Sequence, residues 1–180
     1  MIPVLKGERV ILRGFTWADF PAFGAMWNDS ALTKFIPFAP VALPESWARL
    51  NGNSYRWVRC GFGNWAVVDH DGVFLGTTDF FNSPASGSED QDETGIMSGW
   101  VFAKAARGCG IASEAVSLNH DWLDAQSVGS VTYCGMDVRH AASIRVAEKV
   151  GYQVHREFED ENGTGQIMRR PGADRAITNI

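Results

Sequence analysis

Two glycines one residue apart, set between an apolar run and a periodic one, constrain this chain more than any other feature. Residues 99–115 read GWVFAKAARGCGIASEA. The run Trp100, Val101, Phe102 has the length and character of a short strand buried on both faces. The pattern from Ile111 onward predicts a helix. Between them, Gly108 and Gly110 free the backbone to turn tightly and to aim successive N–H groups at one spot. That spot is a helix N-terminus, where unpaired N–H donors and a partial positive charge suit a phosphate or pyrophosphate without any side chain.

The order Arg107-x-x-Gly110-x-Ala112, followed by Ser113-Glu114-Ala115, resembles the acyl-CoA pyrophosphate loop of the GNAT acetyltransferases. A second block, DVRHAASIRVAEKVGY at 137–152, resembles the later segment of that superfamily's Rim-type branch, the ribosomal-protein N-terminal acetyltransferases. The opening GERVILR at 7–13 is similar to that branch's first strand. The three blocks keep their order over nearly the whole chain. At 180 residues the chain fits one domain over 1–180, with the residues from 171 read as a flexible tail. The resemblance implies an α/β fold: a mixed, twisted, mostly antiparallel sheet with helices on both faces and a splayed central parallel strand pair, 99–102 with 131–136.

The same resemblance implies an acetyl-CoA-dependent N-acetyltransferase working by direct attack in a ternary complex. Backbone groups of Val101, Phe102 and Ala103 would pair with the pantetheine amides as an added strand does. Arg107, Gly108, Cys109, Gly110, Ile111 and Ala112 would hold the pyrophosphate, with Arg107 adding charge or bracing the loop. Ser143 would assist departure of the CoA thiolate, and His140 stands where the family pattern usually has a cofactor-binding asparagine. An attacking amine must lose a proton, so a base or a water path is needed. In the Rim-type pattern a glutamate often stands at the position of Met97, and a thioether cannot take that role. Asp79, Glu93 through water, or no side-chain base remain as routes. Asp79 is an acid in an otherwise apolar and hydroxylic strand, and is either an exposed-face residue or a buried functional carboxylate. Two other readings stay open: a catalytically silent CoA-binding or regulatory module, and an NAD(P)-binding protein. Against the latter, Ser113 occupies the third small position of a dinucleotide fingerprint, and the strand–turn–helix unit comes late in the chain.

Composition bears on partners. A formal net charge of −5 argues against broad nucleic-acid binding, which needs a basic field. No apolar run is long enough to span a bilayer, and MIPVLKGERV lacks the apolar block of a secretory signal, so the cytoplasm is the expected compartment. Cys60, Cys109 and Cys134 are an odd number without metal-ligand spacing, so reduced thiols and no metal are expected. The acceptor would be a small-molecule amine or a protein N-terminus, and the enzyme a monomer or homodimer. The resemblance also implies an acceptor slot between the first two helices and the last hairpin, where Glu157, Glu159, Asp160 and Glu161 would favour a cationic acceptor.

Along the chain, 9–13 suits a strand. Thr16 and Asp19 approximate a capping box before a helix carrying Phe20, Phe23, Met26 and Trp27. A second helix is expected over 44–59, with Trp47, Leu50 and Trp57 as buried contacts. Strands at 65–69 and 73–81 flank a turn at His70-Asp71-Gly72. Residues 82–94 read as a loop. The helix after the glycine turn places Ile111, Ala115, Leu118, Trp122 and Ala125 on one stripe and Ser113, Ser117, His120 and Asp124 on another, which puts His120 in solvent. Gly129 suits that helix's C-terminal cap, ahead of a strand over 130–136. A short helix over 141–150 turns Ser143, Ile144, Ala147 and Val150 inward. The pair 152–158 and 165–170 closes around Asn162-Gly163.

Overall fold

The structure, a computed structural model, describes residues 1–32, 34–36, 42–84, 94–126 and 131–172, and its elements follow the apolar periodicity of the chain. The chain forms two compact units, Met1–Phe81 with Gly99–Asn119, and Asn82–Ser98 with His120–Ile180.

The first unit opens on the short antiparallel strands β1 (Leu5–Lys6) and β2 (Ile11–Arg13). Asp19 then fixes the entry to α1 (Phe20–Asn28): its carboxylate accepts the Thr16 N–H at 2.7 Å and both Arg13 terminal nitrogens at 2.7 and 2.8 Å. Burial alone would raise the Asp19 pKa, but Arg13 and Thr16 together hold it below the ordinary value. The expected capping acid is therefore also one half of a buried ion pair. From α1, Phe23, Met26 and Trp27 pack with Leu32 into a core that Phe15, Phe20, Phe74 and Val101 complete. Each such buried side chain contributes on the order of 2 kcal/mol.

Helix α2 (Leu43–Cys60) ends on Gly61 at φ +73°, a left-handed cap that favours glycine. The side chains of Trp47 and Leu50 lie outside the described residues. Trp57 donates its indole N–H to the Asn64 carbonyl at 3.0 Å and meets Trp65 edge-on at 4.5 Å. Strand β3 (Asn64–Val68) is buried along its length and pairs antiparallel with both β2 and β4 (Phe74–Pro84). Between β3 and β4 the Asp69 carboxylate accepts the N–H groups of Asp71 and Val73, and Gly72 sits at φ +86°. The expected turn is formed by that carboxylate together with the glycine.

Strand β5 (Thr94–Phe102) passes from the second unit into the first at Gly99, and α3 (Ile111–Gln126) passes from the first into the second at His120. The second unit holds β6 (Thr132–Asp137), α4 (Ala141–Lys149), β7 (Gln153–Asp160) and β8 (Gly163–Arg170). Strands β5 and β6 run parallel through Ile96↔Thr132 and Met97↔Tyr133. The β6–β8 and β7–β8 pairs are antiparallel. The hydrogen-bonded order is β1-β2-β3-β4-β5-β6-β8-β7, a mixed, mostly antiparallel sheet of eight strands.

Four expectations shift. Strand β5 is not buried on both faces at Gly99, Trp100 and Val101, which are partly exposed; Phe102 alone of the run is buried. Residues 82–84 and 94 belong to strands rather than a loop, while 85–93, Gly129 and 173–180 lie outside the described residues. The last turn is one residue earlier than Asn162-Gly163, because Asp160 pairs with Gly163 and leaves Glu161-Asn162 at the tip. His120 is not solvated: it is 1% exposed, beside the buried Leu123. Its Nε2 lies 2.8 Å from the Tyr152 hydroxyl, which donates to Thr132 Oγ1 at 2.9 Å. With the tyrosine proton given to Thr132, His120 is the donor to Tyr152. On the first-unit side of α3, Asn119 is buried in the same way, donating to Thr78 Oγ1 at 2.6 Å. The buried stripe thus runs through Ile111, Ala115, Val116, Asn119, His120 and Leu123, while Ala125 is exposed.

Candidate functional site

The segment from Val101 to Ala112 is one continuous piece of the first unit. After β5, a 3-10 turn at Lys104–Ala106 leads to Arg107, whose Nε donates to the Phe102 carbonyl at 3.3 Å. Gly108 and Gly110 follow at φ +76° and +85°, both left-handed, and α3 starts at Ile111. The first α-helical bond runs from Glu114 N–H to the Gly110 carbonyl at 3.1 Å. The N–H groups of Ile111, Ala112 and Ser113 precede that bond, so they belong to the set a helix leaves without an intrahelical acceptor. A Cβ built on Gly108 would meet nothing within 4 Å, so the loop backbone is open to a ligand on that side. The donor set fits a diphosphate: an anion there meets backbone N–H groups and the positive end of a sixteen-residue helix.

Backbone direction along β5 divides the expected pantetheine contacts. Ala103 N–H donates to the Leu75 carbonyl at 2.9 Å, toward β4. Successive strand residues alternate in the direction of their polar groups. Val101 therefore also turns toward β4, and the groups of Trp100 and Phe102 point to the opposite edge. The Phe102 carbonyl on that edge already accepts from Arg107.

Asp79, in the same unit, lies on β4 partly buried, its side chain 18% exposed. Arg56 Nη1 stands 3.4 Å from its Oδ2, and the Arg56 guanidinium lies over the Phe81 ring at 5.4 Å. A Cβ on Gly99 would come to 2.5 Å from Asp79 Oδ1, so this carboxylate occupies space that only a glycine leaves. Burial pushes Asp79 up to about 6, while Arg56 and the Gly99 N–H hold it from rising further. Met97, 6% exposed in β5, offers a thioether with no proton to exchange.

In the second unit, His140 caps α4: its Nδ1 accepts the Ser143 N–H at 3.1 Å. Asparagine, the usual residue there by resemblance, is a strong helix cap, and the imidazole nitrogen keeps that acceptor. Ser143 sits in the first turn of α4, half-buried beside the inward Ile144 and Ala147. Among the described residues no group of His, Cys, Asp and Glu is arranged to hold a metal. No helix among them is long and apolar enough to cross a membrane.

Residues 9–153 match the family described as the acetyltransferase (GNAT) domain. The chain belongs to the GNAT acetyltransferase family. Members of this family move an acetyl group from acetyl-CoA to an amine, and that is the activity of this chain. Solved structures agree on the fold. An acetyltransferase from Agrobacterium tumefaciens superposes with a TM-score of 0.78 at 22% identity, covering 94% of each chain. A ribosomal-protein-S5-alanine acetyltransferase from Vibrio fischeri gives 0.76 at 19% identity, over 96% of this GNAT chain and 98% of the other. A spermidine N-acetyltransferase from Vibrio cholerae, solved with CoA and spermine, gives 0.73 at 12% identity, over 92% and 97%. No curated protein matches the chain.

Sequence reasoning named the glycine loop, Asp79, His140 and Ser143. It missed Arg56, which faces Asp79 across 23 residues of sequence, and Arg9 and Glu114, which meet beside the loop across 105.

Proposed function

We propose that this GNAT enzyme acetylates a primary amine, on a small molecule or a protein N-terminus, with residues 107–112 gripping the donor's pyrophosphate and Asp79 accepting the amine's proton. Acetyl-CoA supplies an activated acetyl carbon whose C–S bond is exchanged for a C–N bond to the amine. The N–H groups of Gly108, Gly110, Ile111 and Ala112 bind the diphosphate. The Trp100 backbone and the Phe102 N–H offer the strand edge for the pantetheine amides, and Arg107 braces the loop through the Phe102 carbonyl.

Asp79 is fit to be the base because its carboxyl titrates at about 6, so it is ionised at neutral pH yet basic enough to share a proton. Ser143 is assigned to the departing sulfur, to which its hydroxyl would donate a hydrogen bond. His140 keeps the first turn of α4 in place for that role. The cytoplasm is the proposed compartment, and the free state of Cys60, Cys109 and Cys134 suits it.

The observation that carries the reading is the pair of left-handed glycines at an open helix N-terminus. Gly110→Val tests it, since a β-branched residue is strained at φ +85° and brings its Cβ to 3.3 Å from Arg9 Nη2. Calorimetry should show CoA affinity reduced by at least about tenfold, in line with the donors lost. Unchanged affinity would remove the loop from the site.

A further inference from the structure

The opening motif at 7–13 has no part in the chemistry above, yet it reaches the glycine loop. Gly7 N–H donates to the Val10 carbonyl at 2.8 Å, closing a turn that presents the Arg9 backbone and side chain to α3. There the Glu114 carboxylate accepts Arg9 N–H at 2.8 Å and Arg9 Nε at 2.8 Å. A Cβ on Gly7 would lie 2.6 Å from Glu114 Oε1, so the turn encloses this carboxylate closely. The remaining arm of the guanidinium, Nη1, donates to the Cys109 carbonyl at 2.6 Å.

That last bond has a geometric consequence. A trans peptide is planar, and its C=O and N–H point in opposite directions. Holding the Cys109 carbonyl toward Arg9 therefore turns the Gly110 N–H away from Arg9. This peptide runs from Cys109 into the left-handed Gly110, with the left-handed Gly108 one residue before it, so glycines that lack side chains to constrain them lie on and just before it. Arg9 also offsets the negative charge of Glu114, which lies in the first turn of α3, close to where a diphosphate would sit.

We propose that Arg9 is a positioning residue for donor binding: anchored on Glu114, it fixes the 109–110 peptide so that the Gly110 N–H faces the pyrophosphate. The proposal rests on the reading of residues 107–112 as the pyrophosphate grip. It requires a fork-shaped group, because one planar guanidinium serves Glu114 and Cys109 at once, whereas a lysine ammonium is a point charge that cannot span both in this geometry.

The test compares the full-length parent with Arg9→Met and Arg9→Lys by calorimetry against two probes, CoA and pantetheine, which lacks the pyrophosphate and nucleotide. Arg9 is 47% exposed, so both variants should fold, and thermal unfolding checks this. The expected result is that both weaken CoA binding by about tenfold or more, the scale of a lost charge-assisted bond, and weaken pantetheine binding far less. Hydrogen exchange should be faster at loop amides in both variants without CoA. If Arg9→Lys keeps the parent's CoA affinity, charge rather than positioning is the role and the proposal is overturned. Equal losses for CoA and pantetheine, or unchanged loop exchange, would overturn it too. A parent that binds no CoA would instead remove the functional reading on which the proposal stands.

Discussion

Asp79 is the residue at which burial and chemistry are most directly coupled. Its carboxyl titrates at about 6 in the folded chain against an ordinary 3.8. If it takes the amine proton, kcat/KM should fall as the pH drops through about 6, because protonated Asp79 accepts nothing. Asp79→Asn should remove that limb and lower kcat by about 10²-fold at neutral pH. Stability should change in the opposite sense. A carboxyl whose folded pKa is raised contributes stability that is fully present below its unfolded pKa and is lost as the pH rises through the folded one. Between pH 3.8 and about 6, Asp79 should therefore make the parent progressively less stable. Two pH units correspond to about 3 kcal/mol, which urea titrations of parent and Asp79→Asn would read as a difference in slope over that window. A parallel pH dependence in the two proteins would show that the carboxylate pays no burial cost.

At the scale of elements, what could be read in the sequence was what is local. The glycine turn was legible because φ preferences and helix termini depend on neighbours, and α4 because Ser143, Ile144, Ala147 and Val150 recur at helical spacing against exposed Arg145, Glu148 and Lys149. The phase of α3 was not. Its buried stripe includes Asn119 and His120, polar residues admitted because Thr78 and Tyr152 satisfy them from 41 and 32 residues away. An apolar pattern cannot display such partners, so it assigned His120 to solvent. The cap of α4 gives a test at this scale. His140→Ala leaves the Ser143 N–H without its acceptor and should cost about 1 kcal/mol, whereas His140→Asn should restore most of it. Equal stability of the parent and His140→Ala would show that the imidazole bond contributes nothing. Ser143→Ala should leave the cap intact, since His140 binds the backbone N–H, and should slow single-turnover acetyl transfer by about 10²-fold with little change in CoA affinity.

At the scale of the whole molecule, the excess of five negative charges is unevenly placed, and among the described residues one exposed run of acids is the β7–β8 hairpin with Glu157, Glu159, Asp160 and Glu161. Two of these acids also serve the turn: Glu159 accepts from the Thr164 hydroxyl and Asp160 from the Asn162 N–H, each at 2.7 Å. Arg139 reaches the same turn at the Asn162 carbonyl, 3.5 Å away, but its guanidinium is engaged by Asp137, whose carboxyl it holds down at about 2, so this arginine does little to offset the acids. The residual field should attract a cationic amine and raise its encounter rate, an effect that salt screens over about 10 Å at 0.1 M. Replacing Glu159 with Gln, Asp160 with Asn and Glu161 with Gln keeps hydrogen-bond acceptors in the turn while removing its charge. With a cationic amine acceptor, the triple variant should show a severalfold lower kcat/KM at low ionic strength and approach the parent as salt rises, while a neutral acceptor should respond to neither change. If parent and variant match at low salt with the cationic acceptor, the hairpin acids are solvated turn residues, and the acceptor's charge has no reader on this face.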